Sequence, residues 1–526
     1  MKRMKRIVIA ILMLTCCMAG VEAQTRDEAQ RAYEQFRQEA QQRFADFRRR
    51  ANRTYADFME QSWQDFEAGP AIPRPIEQEL RPEPMPEEDW NKPIQTRPIR
   101  IEEIVTPILP KPRPMPIAPI QEVPQPKENK DGEQEVLPDE VPVVVPEENR
   151  EEEPVVVPVV PDAKGVDFVL YGTPLRVRFS QDCRFSMGLL TERSVTEAWR
   201  RLSTTDYDNT IYDCIRLREQ LHLCDWAYLI MLEQMSLACM GAGDAATMLM
   251  AYVFCQSGYQ MRLGIAGGKL VMLYASEHQL YDTYSYRIKN KSYYPFHNDS
   301  PQMRICDLAF PKEQPLSLII AEEQNFAVEM SEPRVLRSVQ DSSQTATVTV
   351  NKNLVAFYND YPSSMIGHDM MTRWAMYANV PLQREVREQL YPQLREMVKG
   401  QGQRDAVNTL LSFVQWAFTY RYDDEIWGTD RAFFAEETLF YPYADCEDRS
   451  ILFSRLVRDL FGLKVMLVYY PLHIATAVQF TEDVAGDYIK LNGQRFTICD
   501  PTYFGASVGQ TMSNMDNKSA KVILLD

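Results

Sequence analysis

Three residues late in the chain carry the side chains that a thiol enzyme needs. They are Cys446, His473 and Asp500, and 27 residues separate each one from the next. Of the five histidines, only His473 follows Cys446. A cysteine attacks an amide carbonyl as its thiolate, a histidine takes up the thiol proton, and an acid orients the histidine ring. The order of these residues is therefore that of a thiolate nucleophile followed by a base and an acid.

The residues around Cys446 are typical of the start of a helix. Asp445 is a suitable N-cap, and Asp448 lies at the capping-box position three residues later. Leucines follow at four-residue spacing until Gly462, which can end the helix. Cys446 would thus lie at a helix N-terminus, where free backbone N–H groups and the helix dipole favour a thiolate. Glu447 and Asp448 oppose that effect, so a nearby base is required.

Two stretches of eight residues can bring His473 and Asp500 together. They are residues 473–480 and 493–500. If they pair antiparallel with their ends aligned, His473 lies opposite Asp500. The chain between them is then an excursion that returns through a hairpin-type turn at Asn492-Gly493. A simple three-strand meander would instead separate the two side chains, so the predicted triad depends on the first topology.

In this combination of features, residues 380–526 resemble the transglutaminase-like superfamily. Gly462 precedes a strand-like run, Asp500-Pro501-Thr502 follows the last strand, and 413–422 resembles the helix and following tyrosine of that family. The resemblance implies an α+β fold with a papain-like core, in which a helix packs on an antiparallel sheet. Ile474-Ala475 departs from the family, whose members often have an aromatic residue soon after the histidine. The nature of the substrate groove is therefore not implied.

The same resemblance implies a role for each residue. Cys446 would be the nucleophile, His473 the base and then the acid, and Asp500 the group that orients the ring. The oxyanion would be bound by the backbone N–H of Cys446 and by a side-chain donor, for which Gln415 and Trp416 are the candidates. The implied function is an exported cysteine peptidase or amidase, or a transglutaminase, acting on protein or peptide amides. No cofactor is expected, and the histidines and cysteines lack the spacing of metal ligands.

A second function remains open at this point. A non-catalytic envelope protein that serves binding or assembly can retain the same fold. The carboxylates of Glu447 and Asp448 next to the thiol favour this alternative, whereas an intact set of cysteine, histidine and aspartate favours the enzyme.

An earlier part of the chain repeats the pattern of the predicted catalytic helix without its chemistry. There Gly243 replaces Cys446 and Lys269 replaces His473, and no aspartate lies near the position expected for the acid. Residues 165–330 are therefore interpreted either as a degenerate copy of the later domain or as a chance likeness of two helix–strand units. The corresponding stretches are 244–253 with 447–456 and 260–265 with 464–469.

The chain begins like an exported protein. Basic residues precede a short apolar run at 7–18, and Val21-Glu22-Ala23 places small residues at a cleavage site. Residues 1–23 are therefore predicted to be a signal peptide. The apolar run is too short to span a bilayer and no later segment reaches that length, so no membrane span is predicted. The expected location is the periplasm, the cell surface or the medium, without a lipid anchor.

Composition divides the rest of the chain. Residues 24–68 carry aromatic pairs at a spacing of eleven, which predicts one long amphipathic helix that either docks or oligomerises or else covers its own domain. Residues 69–164 hold 22 of the 34 prolines and predict an extended acidic linker. We expect three further segments: an α+β domain at 165–330, a connecting β segment at 331–379 and the transglutaminase-like domain at 380–526.

The net charge of −17 argues against a nucleic-acid-binding surface, which would need clustered Lys and Arg.

Two further patterns lie between these landmarks. The stretch 212–250 predicts a long helical run. In the connecting segment, alternation predicts a strand pair at 346–350 and 354–358 that turns at Asn351-Lys352-Asn353. A helical run at 382–421 then leads to the predicted catalytic helix.

Overall fold

The structure is a computed structural model. It describes residues 35–36, 39–40, 42–75, 82–106, 108–109, 111–116 and 165–526. The predicted signal peptide, residues 1–23, lies outside the described residues. Within the described residues the protein is mixed α+β, with twelve helices and several sheets, one of which closes into a barrel.

Helices and strands are numbered here in chain order. The helices are α1 (42–59), α2 (Glu192–Leu202), α3 (Asp208–Gln220), α4 (Asp225–Met240), α5 (Asp244–Gln256), α6 (Lys352–Asn359), α7 (Thr372–Asn379), α8 (Arg384–Met397), α9 (Gln403–Ala417), α10 (Asp423–Ile426), α11 (Ala435–Phe440) and α12 (Cys446–Phe461). The strands are β1 (Trp63–Glu67), β2 (Pro98–Val105), β3 (Gly165–Leu170), β4 (Thr173–Arg178), β5 (Met261–Ala266), β6 (Lys269–Ala275), β7 (His278–Leu280), β8 (Tyr286–Ile288), β9 (Lys291–Pro295), β10 (Gln302–Cys306), β11 (Arg334–Arg337), β12 (Thr345–Val348), β13 (Ser364–Ile366), β14 (Val465–Tyr470), β15 (His473–Val478), β16 (Tyr488–Leu491), β17 (Gln494–Cys499) and β18 (Ser519–Leu524).

The C-terminal barrel consists of six strands in the order β14-β15-β17-β16-β2-β18. α12 packs against β14 and β15. β17 lies between β15 and β16, so the chain does not form a simple meander. The turn from β16 to β17 is the one that the sequence predicts, because Asn492 and Gly493 both have positive φ values, of 49° and 80°.

The pairing of β15 with β17 confirms the predicted topology but not the predicted register. Thr476 lies opposite Cys499. One step further along this register, Asp500 is level with Ala475 and not with His473, which corrects the prediction that the ends align. Asp500 reaches His473 diagonally, across the ends of the two strands.

Part of the predicted linker belongs to this barrel. β2 lies between β16 and β18 and runs parallel to both, so the prediction of an extended linker throughout 69–164 is wrong at 98–105. The only proline in the strand is its first residue, Pro98, where the missing N–H interrupts the ladder least. Ile99 is buried in the barrel core. The N–H of Met85, also in the predicted linker, donates to the carbonyl oxygen of Phe504 at 2.8 Å.

The N-terminal sheet has the order β1-β10-β5-β6-β9-β8. Its core repeats the connectivity of the barrel. A helix leads into two antiparallel strands, β5 and β6 or β14 and β15. The next two strands of the same sheet, β8 and β9 or β16 and β17, form a hairpin whose second member pairs with the second strand of the core. The following strand, β10 or β18, then pairs with the first strand of the core. α5 and α12 occupy the corresponding helix positions and pack on the corresponding strands. The two units therefore share one topology over a helix and five strands.

The predicted long helix at 24–68 ends earlier than the sequence suggests. In the described residues α1 stops at residue 59, and 63–67 forms β1 on the edge of the N-terminal sheet. The aromatic pattern is already broken there, because the partner of Phe66 in the next pair would be Gly69. Asn52 on α1 donates to Gln256 of α5 at 3.0 Å. One face of α1 thus covers its own domain, while Phe58 on another face is 57% exposed.

Two other boundaries differ from the prediction. The stretch 354–358 is helical in α6, because Asn351 accepts a hydrogen bond from the N–H of Asn353 and caps a helix where a hairpin turn is predicted. The run 212–250 contains parts of three helices, α3 to α5, separated by short turns. In the described part of the chain, no helix combines the length and the apolar character that a bilayer crossing requires.

The position of β2 generates a stability prediction. Replacing Ile99, which is 5% exposed, by alanine should lower the free energy of unfolding by about 2–5 kcal/mol, since it leaves a cavity in the barrel core. Ile104→Ala is the control, because this residue lies in the same strand but is 44% exposed, and its effect should stay within about 0.5 kcal/mol. Urea unfolding of both variants measures the difference. Equal effects would contradict the placement of β2 in the barrel.

Candidate active site

His473 and Asp500 form a buried pair at one end of the barrel. His473 is the first residue of β15, and Asp500 directly follows β17. Nε2 of His473 lies 2.9 Å from Oδ2 of Asp500, and both side chains are only 1% exposed. With the proton on Nε2 directed at the carboxylate, Nδ1 carries the lone pair. Nδ1 is buried and has no hydrogen-bond partner within the part of the chain that the structure describes, so a base is available at this ring position.

The Asp500-Pro501-Thr502 turn holds the carboxylate in place. Oδ1 of Asp500 accepts hydrogen bonds from the N–H and the hydroxyl of Thr502, at 3.0 and 2.9 Å, and from the N–H of Tyr503 at 3.2 Å. Burial acts to raise the pKa of Asp500, but the charge and hydrogen bond of His473 and the donors of Thr502 outweigh it, and the pKa is lowered. The carboxylate therefore remains ionised and can balance an imidazolium.

Gln415, predicted as an oxyanion donor, has a different position and task. Its amide nitrogen donates to the backbone oxygens of Asp500 and Ala506, both at 3.0 Å, and its amide oxygen accepts from the N–H of Gly505 at 3.3 Å. Both amide hydrogens are thus already donated, and we correct the prediction: Gln415 positions the Asp500 turn. Trp416, the other candidate, contacts Phe504 in the same loop, with ring centroids 5.1 Å apart.

Cys446 is the first residue of α12, as the sequence predicts. Asp445 and Asp448 form the predicted capping box. The hydroxyl of Ser450, one turn further along the helix, donates to the carbonyl oxygen of Ile474 at 3.0 Å. Because Ile474 directly follows the histidine, this bond fixes the first turn of α12 beside the start of β15.

The thiol and the imidazole are not bonded to each other in this structure. Sγ of Cys446 donates to Oε2 of Glu447 at 3.2 Å. Of the ring nitrogens of His473, Nε2 faces Asp500 and Nδ1 has no hydrogen-bond partner among the described residues. The structure therefore brings His473 and Asp500 into contact, places the helix of Cys446 next to them, and leaves the thiol on a neighbouring carboxylate.

Five carboxylates surround the start of α12, and the sequence indicated only those next to Cys446 in the chain. Their oxygens form two sets of three, each lying within 4.8 Å, which is a spacing that can hold a cation. Arg373 forms an ion pair with one of them. The sets are Asp423, Asp430 and Glu447, and Asp423, Asp445 and Asp448.

Crowding of these acids changes their protonation. Burial, followed by the charges of Asp448 and Glu447, raises the pKa of Asp423. Burial, and then Glu447, also raises the pKa of Asp448. Asp423 begins α10 and Asp430 follows that helix, and neither lies within a turn or a helical repeat of Cys446, so no local pattern could have predicted their approach. Protons held by these groups reduce the negative charge near the thiol.

Arg449 is a second residue that the sequence did not single out. It is fully buried, and its guanidinium donates to the backbone oxygens of Gln415 and Phe418, at 3.1 and 2.8 Å. Burial lowers the pKa of Arg449 to about 10. Because Gln415 in turn binds the Asp500 turn, Arg449 links α12, the end of α9 and Asp500. The sequence gives one signal for Arg449, which is that a charged residue lies in a helix predicted to pack on a sheet.

The acidic cluster makes stability depend on pH. The pKa of Asp423 is raised in the folded protein above its unfolded value of about 4, so its ionisation costs stability as the pH rises above that value. Asp423→Asn should therefore melt at a higher temperature than the wild type near pH 8 and at an equal temperature near pH 4. The neighbouring exposed residue supplies the control, Asp424→Asn, which should change neither value. A lower melting temperature for Asp423→Asn near pH 8, measured by calorimetry, would contradict this account.

Comparisons with known proteins add no family to this geometry. No protein-family model matches the chain, and the searches of curated proteins and of solved structures found no significant match.

Proposed function

We propose that the protein is an exported thiol-dependent acyl-transfer enzyme that uses Cys446, His473 and Asp500 on protein or peptide amides. The observation that carries the proposal is the buried bond between Nε2 of His473 and Asp500, which leaves Nδ1 as a base without a partner. The start of α12, which bears Cys446, is tied to the strand of that histidine by the hydrogen bond from Ser450 to Ile474. The resemblance to the transglutaminase-like superfamily, with its papain-like core, belongs to the same proposal.

In the proposed reaction the thiol breaks its hydrogen bond to Glu447 and forms one to Nδ1 of His473. The thiol proton passes to Nδ1, and the thiolate forms a bond to the amide carbonyl carbon. The C–N bond then breaks as the imidazolium returns the proton to the departing amine, leaving a thioester on Cys446. Water or a second amine attacks the thioester, which yields a hydrolysed or a cross-linked product. Catalytic hydrogen bonds are often long or misdirected without substrate, so the present thiol position is compatible with this sequence.

A non-catalytic binding or assembly protein is the second candidate function. The hydrogen bond from Cys446 to Glu447 favours it, because a carboxylate acceptor stabilises the protonated thiol. The carboxylates around α12 act in the same direction. The two candidates therefore differ in one measurable property, the reactivity of Cys446.

Alkylation by iodoacetamide near neutral pH tests the proposed enzyme. Cys446 is buried like the other seven cysteines of the described chain, and burial raises the pKa of each of those seven. Cys446 should nevertheless react selectively, because in the proposed mechanism His473 takes up its proton, and peptide mapping can count the label. Glu447→Gln should increase the rate, since it removes the carboxylate that holds the thiol proton. The exposed Glu425→Gln is the control and should leave the rate unchanged. An unreactive Cys446 in both the wild type and Glu447→Gln would favour the binding protein.

The acid of the triad has its own test. In Asp500→Asn the amide cannot stabilise an imidazolium and can force the wrong ring tautomer, so alkylation of Cys446 should slow by about tenfold or more. Asp483→Asn, at an exposed carboxylate of the same domain, should react like the wild type. Near-ultraviolet circular dichroism shows whether each variant is folded. A folded Asp500→Asn that reacts at the wild-type rate would remove Asp500 from the mechanism.

A further inference from the structure

The N-terminal sheet carries a cleft of about 510 Å³ at the start of α5. The walls come from α4, from the first turns of α5, from the start of β6 and from the residues that follow β9. Polar groups alternate with apolar walls, as in sites for small ligands. The residues that line the cleft include Glu233, Leu237, Asp244, Lys269, Phe296 and His297.

This cleft occupies the place that the candidate active site occupies in the barrel. Lys269 begins β6 and pairs with the last residue of β5, just as His473 begins β15 and pairs with the last residue of β14. Lys269 therefore stands where the base stands in the later unit, as the sequence comparison proposes.

The position of the acid follows from the strand registers. The residue four beyond Lys269 is Leu273, which lies opposite Pro295. In the barrel, Ala477 lies four residues after His473. It lies opposite Ile498, which is two positions before Asp500. Asp500 therefore corresponds to the residue two positions after Pro295, which is His297. The sequence likeness predicts an aspartate near this position, whereas the chain has a histidine.

Two cationic side chains of the cleft, His297 and Lys269, can donate hydrogen bonds to a ligand. Nε2 of His297 lies 3.2 Å from Oε1 of Glu233, and this hydrogen bond raises the pKa of His297 against the opposing effect of burial. The imidazolium so favoured has a second N–H on Nδ1. Lys269 is exposed and forms no ion pair with any residue that the structure describes. Asp244 is engaged elsewhere, since its Oδ1 accepts the N–H of Leu270 at 2.8 Å.

The side chain of His297 is 63% exposed and therefore accessible to a ligand. Its ring lies against that of Phe296, with centroids 4.0 Å apart. Leu237 adds apolar surface to the same cleft. Lys269 and His297 thus lie beside apolar walls, together with two carboxylates, Glu233 paired to His297 and Asp244 bonded to the backbone N–H of Leu270.

We propose that this cleft binds the C-terminal carboxylate of a peptide, with Lys269 and His297 as donors and Leu237 and Phe296 in contact with the last side chain. The start of α5 bears no thiol, since Gly243 is its N-cap and Asp244 its first residue, so this site would bind its ligand without the thiol chemistry proposed for Cys446. Binding does not depend on the chemistry proposed for Cys446, so the two proposals can fail separately.

Titration with N-acetyl-L-leucine, followed by calorimetry and ligand-observed NMR on the full mature chain, tests the site. N-acetyl-L-leucinamide has the same shape without the charge and should bind about tenfold more weakly or not at all, because a charge-assisted hydrogen bond is lost. Lys269→Gln should weaken binding of the acid by a similar factor and leave binding of the amide unchanged. Lys490→Gln is the matched control, since this lysine is exposed on β16 of the other unit.

Three results would overturn the proposal. They are no binding of the acid in the millimolar range, equal affinity for acid and amide, and equal effects of Lys269→Gln and Lys490→Gln. Unchanged binding in Cys446→Ala is expected and separates this site from the candidate active site.

Discussion

The hydrogen bond between His473 and Asp500 requires most of the surrounding architecture. Both groups are buried, and a buried imidazole and carboxylate are costly unless each finds its partner. The partners come from the ends of two strands that are adjacent only because β17 inserts between β15 and β16. The Asp500 turn is then held from a third side by Gln415, and Gln415 by Arg449. Asp500, the end of α9 and the helix that begins at Cys446 thus form one connected set of hydrogen bonds.

A second constraint is the negative charge at the start of α12, which opposes the formation of a thiolate beside His473. The N-terminus of α12 attracts negative charge, and the structure supplies it as carboxylates as well as a thiol. Buried acids this close cannot all ionise, so the raised pKa values of Asp423 and Asp448 are the physical consequence. The thiol of Cys446 takes part in this competition through Glu447. In the mechanism proposed above, the protonation of these acids therefore governs how readily the thiol proton can reach His473.

Local patterns predicted the parts of this site that have local causes. The capping box around Cys446 and the turn at Asn492-Gly493 are both present, because each depends on residues within a few positions of one another. The place of β2 could not be predicted in this way, since parallel pairing with two strands almost 400 residues away leaves no signal in its own sequence. High proline content over the whole segment also concealed eight residues that contain only Pro98.

The register of β15 and β17 could not be predicted from local patterns either. Equal lengths suggested aligned ends, yet the pairing is displaced by two residues and Asp500 reaches His473 across the strand ends. The N-terminal sheet has the corresponding displacement, which places His297 two positions after the paired Pro295. A shared topology with a shared offset is hard to explain by chance likeness of one helix and one strand, and it favours duplication of the whole unit. On that interpretation, the two units keep one backbone arrangement at the helix start and differ in which side chains occupy it.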